Sequence, residues 1–389
     1  MSSNIITEKR VGSKIINKIS FVYCFILRIK TLEFQQKFKM TKIAIITPWE
    51  EKCGIAIYSA KLVDELTKMG VEVSILKTKI KCNNPLFFKE LAERASIFDL
   101  VNVQFQLGLY GPKGLFAPIF FNSLSSAKIV ITMHETIAIN PETTFGKIIS
   151  PYKKFLISNV VRNSDAIIAH NKYVQKTVEC LTNKKVNHIP FPLEIAEIQK
   201  CISLEKVKQK LGIKQKNVLL TFGFVVPNKG FERVIKALKY IPDTFLLIAG
   251  EERNAKYSEK LKKLAIMHNV QDRVKFIGFV KKEELPLIFG LATLVIFPYL
   301  YSETSAAIIQ ALGFEKCIIS SDIQTFDEFK CIEKFKNESN LISMINYYIK
   351  HPEKIKEQEE KQQKFAIQIK WPIVAKKIKE IYEECFKIK

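Results

Sequence analysis

The feature that most constrains this chain is a repeated alternation of short apolar runs with longer segments of helical periodicity. The first run, KIAIIT at 42–47, is apolar on both faces. The segment at 54–70 then carries a stripe that we expect to face a sheet, made of Ile57, Leu62, Val63, Leu66 and Met69. Further β-rich runs follow at 71–76, 100–105, 128–133 and 165–170. Strands that are apolar throughout, separated by helices, predict a parallel α/β sheet covered on both faces.

A second alternation of the same kind begins after a proline-containing break. Prolines interrupt the pattern at 189–195, and the lysine-rich stretch up to Lys216 predicts a linker with a short helix. The β-rich runs that follow are NVLLTFGF (217–224), TFLLIAG (244–250), VKFIGF (274–279), TLVIFPY (293–299) and KCIISS (316–321). A chain of 389 residues is too long for one ordinary core. We therefore predict two doubly wound parallel-sheet domains that face each other across a cleft.

The predicted division of the chain has four parts. They are a basic N-terminal extension (1–39), a first domain (40–200), a second domain (201–370) and a charged amphipathic helix (371–389). The extension has two interpretations. Its apolar run SFVYCFIL at 20–27, flanked by basic residues, is a possible membrane-surface segment, although too short to span a bilayer. Alternatively, because Met40 directly precedes the first strand, residues 1–39 are translated from an upstream start codon.

The net charge of +22 raises two classes of partner, nucleic acid and the anionic face of a membrane. The basic residues are spread along the chain rather than gathered in one tract, which argues against nucleic acid as a partner. The eight cysteines form no CxxC pair and no zinc-type cluster with histidine. They indicate reduced thiols in a cytoplasmic protein.

Four loops that leave predicted strands contain candidate functional residues, because ligands of parallel α/β sheets bind at the carboxyl ends of the strands. Gly54 lies in the first such loop, where a helix N-terminus favours anions, although a tight packing turn explains it as well. His134 follows the strand at 128–133 and is either a structural histidine or a donor to a substrate hydroxyl. The GxGxxG dinucleotide motif is absent.

The other two loops belong to the second domain. Lys229 and Gly230 follow the strand at 217–224, where a lysine is either solvated or neutralises a phosphate. The turn at 303–307 has small side chains that leave backbone N–H groups uncovered, as a diphosphate requires, with Gln310 further along the same helix. The alternative is an ordinary core helix in which Glu303 complements the helix dipole.

The order of these loops resembles that of the retaining glycosyltransferases of family 4. The segments VNVQFQLGLYG, NSDAIIAH and TFLLIAGEE are also similar to that family's framework. The resemblance covers about residues 40–385. It implies the GT-B architecture, in which two Rossmann-like domains face each other across a cleft. It also implies that the helix after Trp371 packs back on the first domain.

The resemblance implies a role for each candidate residue. Lys229 and His134 would be catalytic, with Lys229 against the donor's diphosphate and His134 facing the transferred sugar. Gln310 would replace a second glutamate that usually binds the nucleotide ribose. The implied donor-binding set is Gly54, Gly223, Lys229, Glu303, Thr304, Ser305, Ala306 and Gln310.

Three positions depart from the family pattern. Gln310 replaces the second glutamate, and its spacing from Glu303 is one residue shorter than usual. The arginine that often precedes the Lys-Gly loop is missing, with apolar residues at 224–226. Gln106 stands where a glutamate is frequent. Loss of the arginine removes one of two cations expected at the diphosphate, whereas Gln310 keeps the ability to hydrogen-bond a ribose.

The predicted function is a retaining glycosyltransferase that moves a sugar from a nucleotide-sugar donor to a glycan, glycolipid or glycoprotein-precursor acceptor. Retention would follow from same-face attack, with the departing phosphate helping to deprotonate the acceptor. No DxD motif occurs, so neither a metal nor another cofactor is expected. The alternatives are a non-catalytic GT-B protein that binds a sugar nucleotide or a partner and, from charge alone, a nucleic-acid-binding protein. The predicted location is the cytoplasm, with the enzyme peripheral at the inner membrane face.

Overall fold

The first half of the chain forms one parallel sheet. The structure, a computed structural model, describes residues 42–51, 53–134, 144–196, 204–302 and 306–387. The first six strands are β1 Ile43–Thr47, β2 Val73–Lys77, β3 Leu100–Phe105, β4 Lys128–Met133, β5 Ala166–Ala169 and β6 Asn187–His188. Their order is β2-β1-β3-β4-β5-β6, and every neighbouring pair is parallel. β1 and β3 are buried along their whole length, as their apolar sequences predict.

Five helices connect these strands and pack against the sheet. They are α1 Gly54–Lys68, α2 Pro85–Ala95, α3 Ala117–Ser123, α4 Thr144–Arg162 and α5 Lys172–Thr182. The predicted stripe of α1 is wrong at one position, because Ile57 is 71% exposed while the adjacent Tyr58 is buried. Leu62 and Leu66 of the predicted stripe are buried, and Tyr58 takes the place of Ile57 on the buried face. A phenol ring supplies enough apolar surface to replace an isoleucine in the core.

The second half repeats the architecture. Its strands are β7 Asn217–Phe222, β8 Thr244–Ala249, β9 Val274–Gly278, β10 Leu294–Phe297, β11 Ile318–Ser321 and β12 Glu333–Phe335, in the order β12-β11-β10-β7-β8-β9. All neighbouring pairs are again parallel. Its helices are α6 Leu204–Leu211, α7 Glu232–Ala237, α8 Ala255–Met267, α9 Leu285–Leu291, α10 Ala306–Gly313, α11 Glu338–Lys350 and α12 Pro352–Gln368. The predicted α/β fold with two parallel sheets is confirmed.

The sequence patterns miss the edge strands β6 and β12. Each is two or three residues long and contains polar residues, Asn187 and His188 in one and Glu333 and Lys334 in the other. Such short polar segments have no apolar run by which to recognise a strand, and pairing with an existing sheet edge decides their conformation.

The last helix, α13 Trp371–Glu384, leaves the second half and packs against α1. The Trp371 ring lies 5.2 Å from the Tyr58 ring, centroid to centroid. The backbone of Leu193 exchanges hydrogen bonds with Ile369 and Trp371 at 3.0 and 3.3 Å. One hydrophobic core consequently runs from β1 and α1 into the second sheet. The proposed boundary at 200/201 and the extension 1–39 lie outside the described residues.

Candidate donor-binding site

A cavity of about 340 Å³ opens at the carboxyl end of the second sheet. It lies where β7 to β10 end and α10 begins, the place where parallel sheets bind ligands. Its lining residues are Phe222, Gly223, Phe224, Lys229, Gly250, Glu251, Phe279, Val280, Tyr299, Ala306, Ala307 and Gln310. The structure therefore brings four predicted donor-binding residues together: Gly223, Lys229, Ala306 and Gln310.

Lys229 is the last residue of a 3₁₀ turn that follows β7, Pro227–Lys229. Gly230 ends the turn with a φ of +61°, and a Cβ at this position would lie 2.3 Å from the carbonyl oxygen of Pro298. The Leu300 N–H donates to the Asn228 carbonyl at 3.0 Å. Glycine is thus required where the Lys-Gly loop meets the segment after β10, and this contact holds Lys229 at the cavity.

The Lys229 ammonium lies over an aromatic ring inside the cavity wall. Its Nζ is 3.6 Å from the centroid of the Tyr299 ring, and Tyr299 is itself fully buried. The ring face attracts the cation, but burial removes water from it. Burial consequently lowers the pKa of Lys229 to about 8. A cation that is poorly hydrated before a ligand arrives loses little solvation when it binds an anion.

Two glycines let the ends of β7 and β8 approach each other behind Lys229. Gly250 has a φ of +154°, and a Cβ there would lie 1.9 Å from the Gly223 carbonyl oxygen. Gly223 has a φ of +125°, and a Cβ there would lie 3.1 Å from the Tyr299 hydroxyl oxygen. That hydroxyl donates to the Phe222 carbonyl at 3.3 Å. Backbone rather than side chain therefore forms this part of the cavity wall.

Helix α10 forms another wall. Ala306 and Gln310 are exposed and line the cavity, whereas Ile308, Ile309 and Leu312 are buried. The buried stripe matches the prediction from the sequence. Glu303, Thr304 and Ser305 lie outside the described residues, so their predicted roles stay predictions.

His134 follows β4 in the first half of the chain, and it does not line this cavity. Its Nε2 lies 2.7 Å from Gln104 Oε1, while Gln104 Nε2 donates to Asn102 Oδ1. Because Oε1 only accepts, we assign the hydrogen of His134 to Nε2. Burial, and to a smaller extent His170, hold the pKa of His134 well below its ordinary value. The imidazole is therefore neutral, with a lone pair on Nδ1.

The residues around His134 are ones that the sequence analysis misses. The Tyr58 ring lies 4.9 Å from the His134 ring and the His170 ring 5.4 Å, centroid to centroid. Asn102 and Gln104 are fully buried on one face of β3. Two polar residues at i and i+2 in an otherwise apolar strand are the signal that indicates a buried polar network, since such groups need partners.

Gly54 is the first residue of α1 and lies apart from the cavity. A Cβ at this position would meet no atom within 4 Å, and its φ is not positive. The tight packing turn suggested as an alternative therefore finds no support among the described residues. The helix N-terminus is capped by Cys53, whose Sγ accepts from the Ala56 N–H at 3.4 Å.

The described residues contain neither a metal-binding cluster nor a membrane-spanning helix. No group of three or more His, Cys, Asp or Glu side chains in the described ranges is arranged to hold a metal ion. Within the same ranges, no helix combines the length and apolar character needed to cross a bilayer.

Comparisons with known proteins agree with this architecture. The model of a family described as "Glycosyl transferases group 1" matches residues 203–368. The uncharacterized glycosyltransferase YqgM of Bacillus subtilis is 22% identical over 61% of this chain, and the alignment spans 66% of that protein, just under two thirds.

Among solved structures, a glycosyltransferase from Rickettsia africae superposes with a TM-score of 0.73 at 16% identity, covering 90% of this chain and 99% of its own. Anabaena Alr3699/HepE, in complex with UDP and glucose, superposes with a TM-score of 0.69 at 15% identity, covering 88% of this chain and all of its own. The two-sheet fold is therefore that of solved glycosyltransferases.

Proposed function

We propose that this chain transfers a sugar from a nucleotide-sugar donor to a glycan, glycolipid or glycoprotein-precursor acceptor. The match of residues 203–368 to the glycosyl transferases group 1 family supports this proposal. The observation that carries the proposal is the desolvated Lys229 in a cavity at the strand ends of that domain. The solved HepE structures contain UDP, UDP with glucose, or UDP-glucose, which makes UDP-sugars the first donors to test.

In the proposed reaction, Lys229 stabilises the charge that develops on the leaving diphosphate. Electrostatic stabilisation of this kind requires a positively charged group that is already in place and shielded from water. The Tyr299 ring and the Gly230 turn hold Lys229 in that state. The exposed amide of Gln310 supplies hydrogen bonds to the ribose hydroxyls.

The first domain supplies the residue that faces the transferred sugar in the proposed reaction. His134 presents its Nδ1 lone pair to a hydroxyl of the transferred sugar. It therefore accepts a hydrogen bond rather than donating one as the sequence analysis expects, because its N–H is held by Gln104, which also fixes the tautomer. Retention follows from attack on the face that the diphosphate leaves, with a phosphate oxygen taking the acceptor's proton. No metal enters this scheme, since the sequence has no DxD motif.

The decisive experiment combines binding and turnover. Purified protein is mixed with UDP-, GDP- and ADP-sugars, and melting temperature and released nucleoside diphosphate are measured. We expect one donor to raise the melting temperature and to be hydrolysed slowly without acceptor. Lys229→Met should reduce that release about 100-fold. Lys256→Met, which removes an exposed lysine outside the cavity, is the control and should match the wild type.

The same experiment separates the alternative function. Donor binding without hydrolysis or transfer, unchanged by Lys229→Met, would overturn the enzyme proposal in favour of a non-catalytic sugar-nucleotide-binding protein. The apolar residues at 224–226 are the observation that favours this alternative. Retention is tested by the anomeric configuration of the product with any donor that turns over.

The proposed location at the inner membrane face rests on the net charge of +22 and on the run at 20–27. That run lies outside the described residues. Co-sedimentation of the full chain with anionic vesicles, compared with a chain starting at Met40, tests it.

A further inference from the structure

We propose that Arg253 is a second cation for the donor's diphosphate, supplied by the loop between β8 and α8. This inference rests on the proposed function, because it names a further residue of the same site. Among the described residues that line it, Lys229 and Glu251 are the charged ones, so their formal charges cancel. A neutral lining is poorly suited to a diphosphate, which carries at least two negative charges.

Arg253 contacts two residues of the cavity lining. Its guanidinium carbon lies 3.4 Å from the centroid of the Phe224 ring. Its Nε donates to Glu251 Oε2 at 2.9 Å. Arg253 does not itself line the cavity, but it contacts two residues that do, and counting it changes the formal charge of this group of residues from zero to +1.

The Arg253 guanidinium has hydrogen-bonding capacity beyond this ion pair. The bond to Glu251 uses Nε, and the two Nη atoms carry four further N–H groups. A planar guanidinium matches two phosphate oxygens at once, which a lysine ammonium does not. Stacking on Phe224 fixes the plane of the guanidinium without using any of these donors.

The loop that carries Arg253 is fixed relative to Lys229. Asn254 caps α8 by accepting from the Tyr257 N–H at 2.9 Å. The Tyr257 hydroxyl accepts from the Phe231 N–H at 3.0 Å, and it donates to Glu232. Phe231 follows directly after the Lys-Gly pair. Hydrogen bonds through Tyr257 thus connect the loop of Lys229 to the loop of Arg253. Fixed positions of the two cations are the preorganisation that stabilising an anion requires.

This arrangement also gives Phe224 a role. It is one of the residues at 224–226, where the family resemblance predicts an arginine. In this chain the ring is the platform on which an arginine from the next strand-end loop stacks.

Calorimetry measures the binding of UDP, GDP and ADP to the full chain and, in separate titrations, the binding of the corresponding monophosphates. Wild type is expected to bind one diphosphate. Arg253→Gln should weaken that diphosphate about tenfold or more while leaving the monophosphate within about twofold. Lys256→Gln, an exposed charge change on α8, is the matched control and should bind as wild type does.

A double variant makes the test independent of folding effects. Phe224 is 42% exposed, so the site accommodates an arginine there. Phe224→Arg combined with Arg253→Gln returns a cation to the cavity from a different backbone position, and it should recover most of the diphosphate affinity.

The two proposals fail in different ways. If Arg253→Gln binds both nucleotides as tightly as wild type, the ion pair with Glu251 is only a surface contact and this inference is overturned, while the proposed function stands. If wild type binds none of the three diphosphates, the proposed function fails and this inference fails with it.

Discussion

At the residue scale, Lys229 keeps its ammonium inside a cavity wall at the expense of its own hydration. Its ammonium is half-buried over the Tyr299 ring, and burial lowers its pKa to about 8. The sequence identifies this lysine by its place after a strand, but not its pKa. The burial that lowers it depends on Tyr299, over which the ammonium lies, and on Pro298, against which Gly230 packs. Both residues lie about 70 positions further along the chain.

The first prediction concerns pH. A lysine whose pKa is lowered to about 8 is charged below that pH and neutral above it. Bound diphosphate favours the charged form, so affinity for UDP should be greatest below about pH 8 and fall above it, by about tenfold at about pH 9. Calorimetry across this range measures the effect. Lys229→Arg, which stays charged, should give a flat profile; a wild-type decline that persists in this variant would assign the titration to another group.

The second prediction concerns Gly230. Alanine here would place a Cβ 2.3 Å from the Pro298 carbonyl oxygen at a positive φ. We expect Gly230→Ala to lower the free energy of unfolding by about 2–4 kcal/mol, from strain and displacement of the turn. Gly54→Ala is the matched control, because a Cβ at that position meets no atom within 4 Å. Urea unfolding compares them, and equal stability of the two variants would contradict the assigned role of Gly230.

At the element scale, the strand-end loops of the second sheet converge on one cavity, while α13 returns to the first half. Parallel pairing explains the convergence, since it places all carboxyl ends at one edge. The return of α13 depends on Trp371, which is 8% exposed and packs its ring against Tyr58. The apolar periodicity of α13 predicts a buried face, but not the helix against which that face packs.

The third prediction tests the docking of α13. Trp371→Ala removes a large buried ring from the junction of the two halves and should lower the free energy of unfolding by about 3–5 kcal/mol. Ile373→Ala, at a position on the same helix that is 38% exposed, should cost less than about 1 kcal/mol. Thermal unfolding measures both. A Trp371→Ala protein as stable as the Ile373→Ala protein would show that α13 is not docked as described.

At the scale of the whole molecule, a buried titratable pair joins the two halves. His188, at the end of the first sheet, has its Nε2 3.5 Å from Glu328 Oε2 in the second half. Burial raises the pKa of the Glu328 carboxyl, and His188 partly opposes that rise. Compared with the unfolded chain, the buried carboxyl therefore favours folding when it is protonated, and this contribution is lost as pH rises through the raised pKa.

The fourth prediction follows from this loss of stability with rising pH. Glu328→Gln keeps the shape of the side chain but cannot ionise, so its stability relative to wild type should increase as pH is raised from about 4 to about 7. Melting temperatures at several pH values measure the difference. Glu283→Gln, at an exposed position, is the control and should show no such trend. A constant difference across the range would mean that Glu328 does not titrate as its burial requires.

The sequence by itself determined the alternation of buried strands and helices, the two parallel sheets and the strand-end loops where Lys229 and His134 lie. Those features follow from local periodicity, which each segment carries in its own residues. Only the tertiary structure decided that Gln104 contacts His134, that Glu251 lines the same cavity as Lys229, and that α13 packs on α1. These contacts join residues far apart in the chain, and no local pattern specifies which distant side chain fills the space beside another.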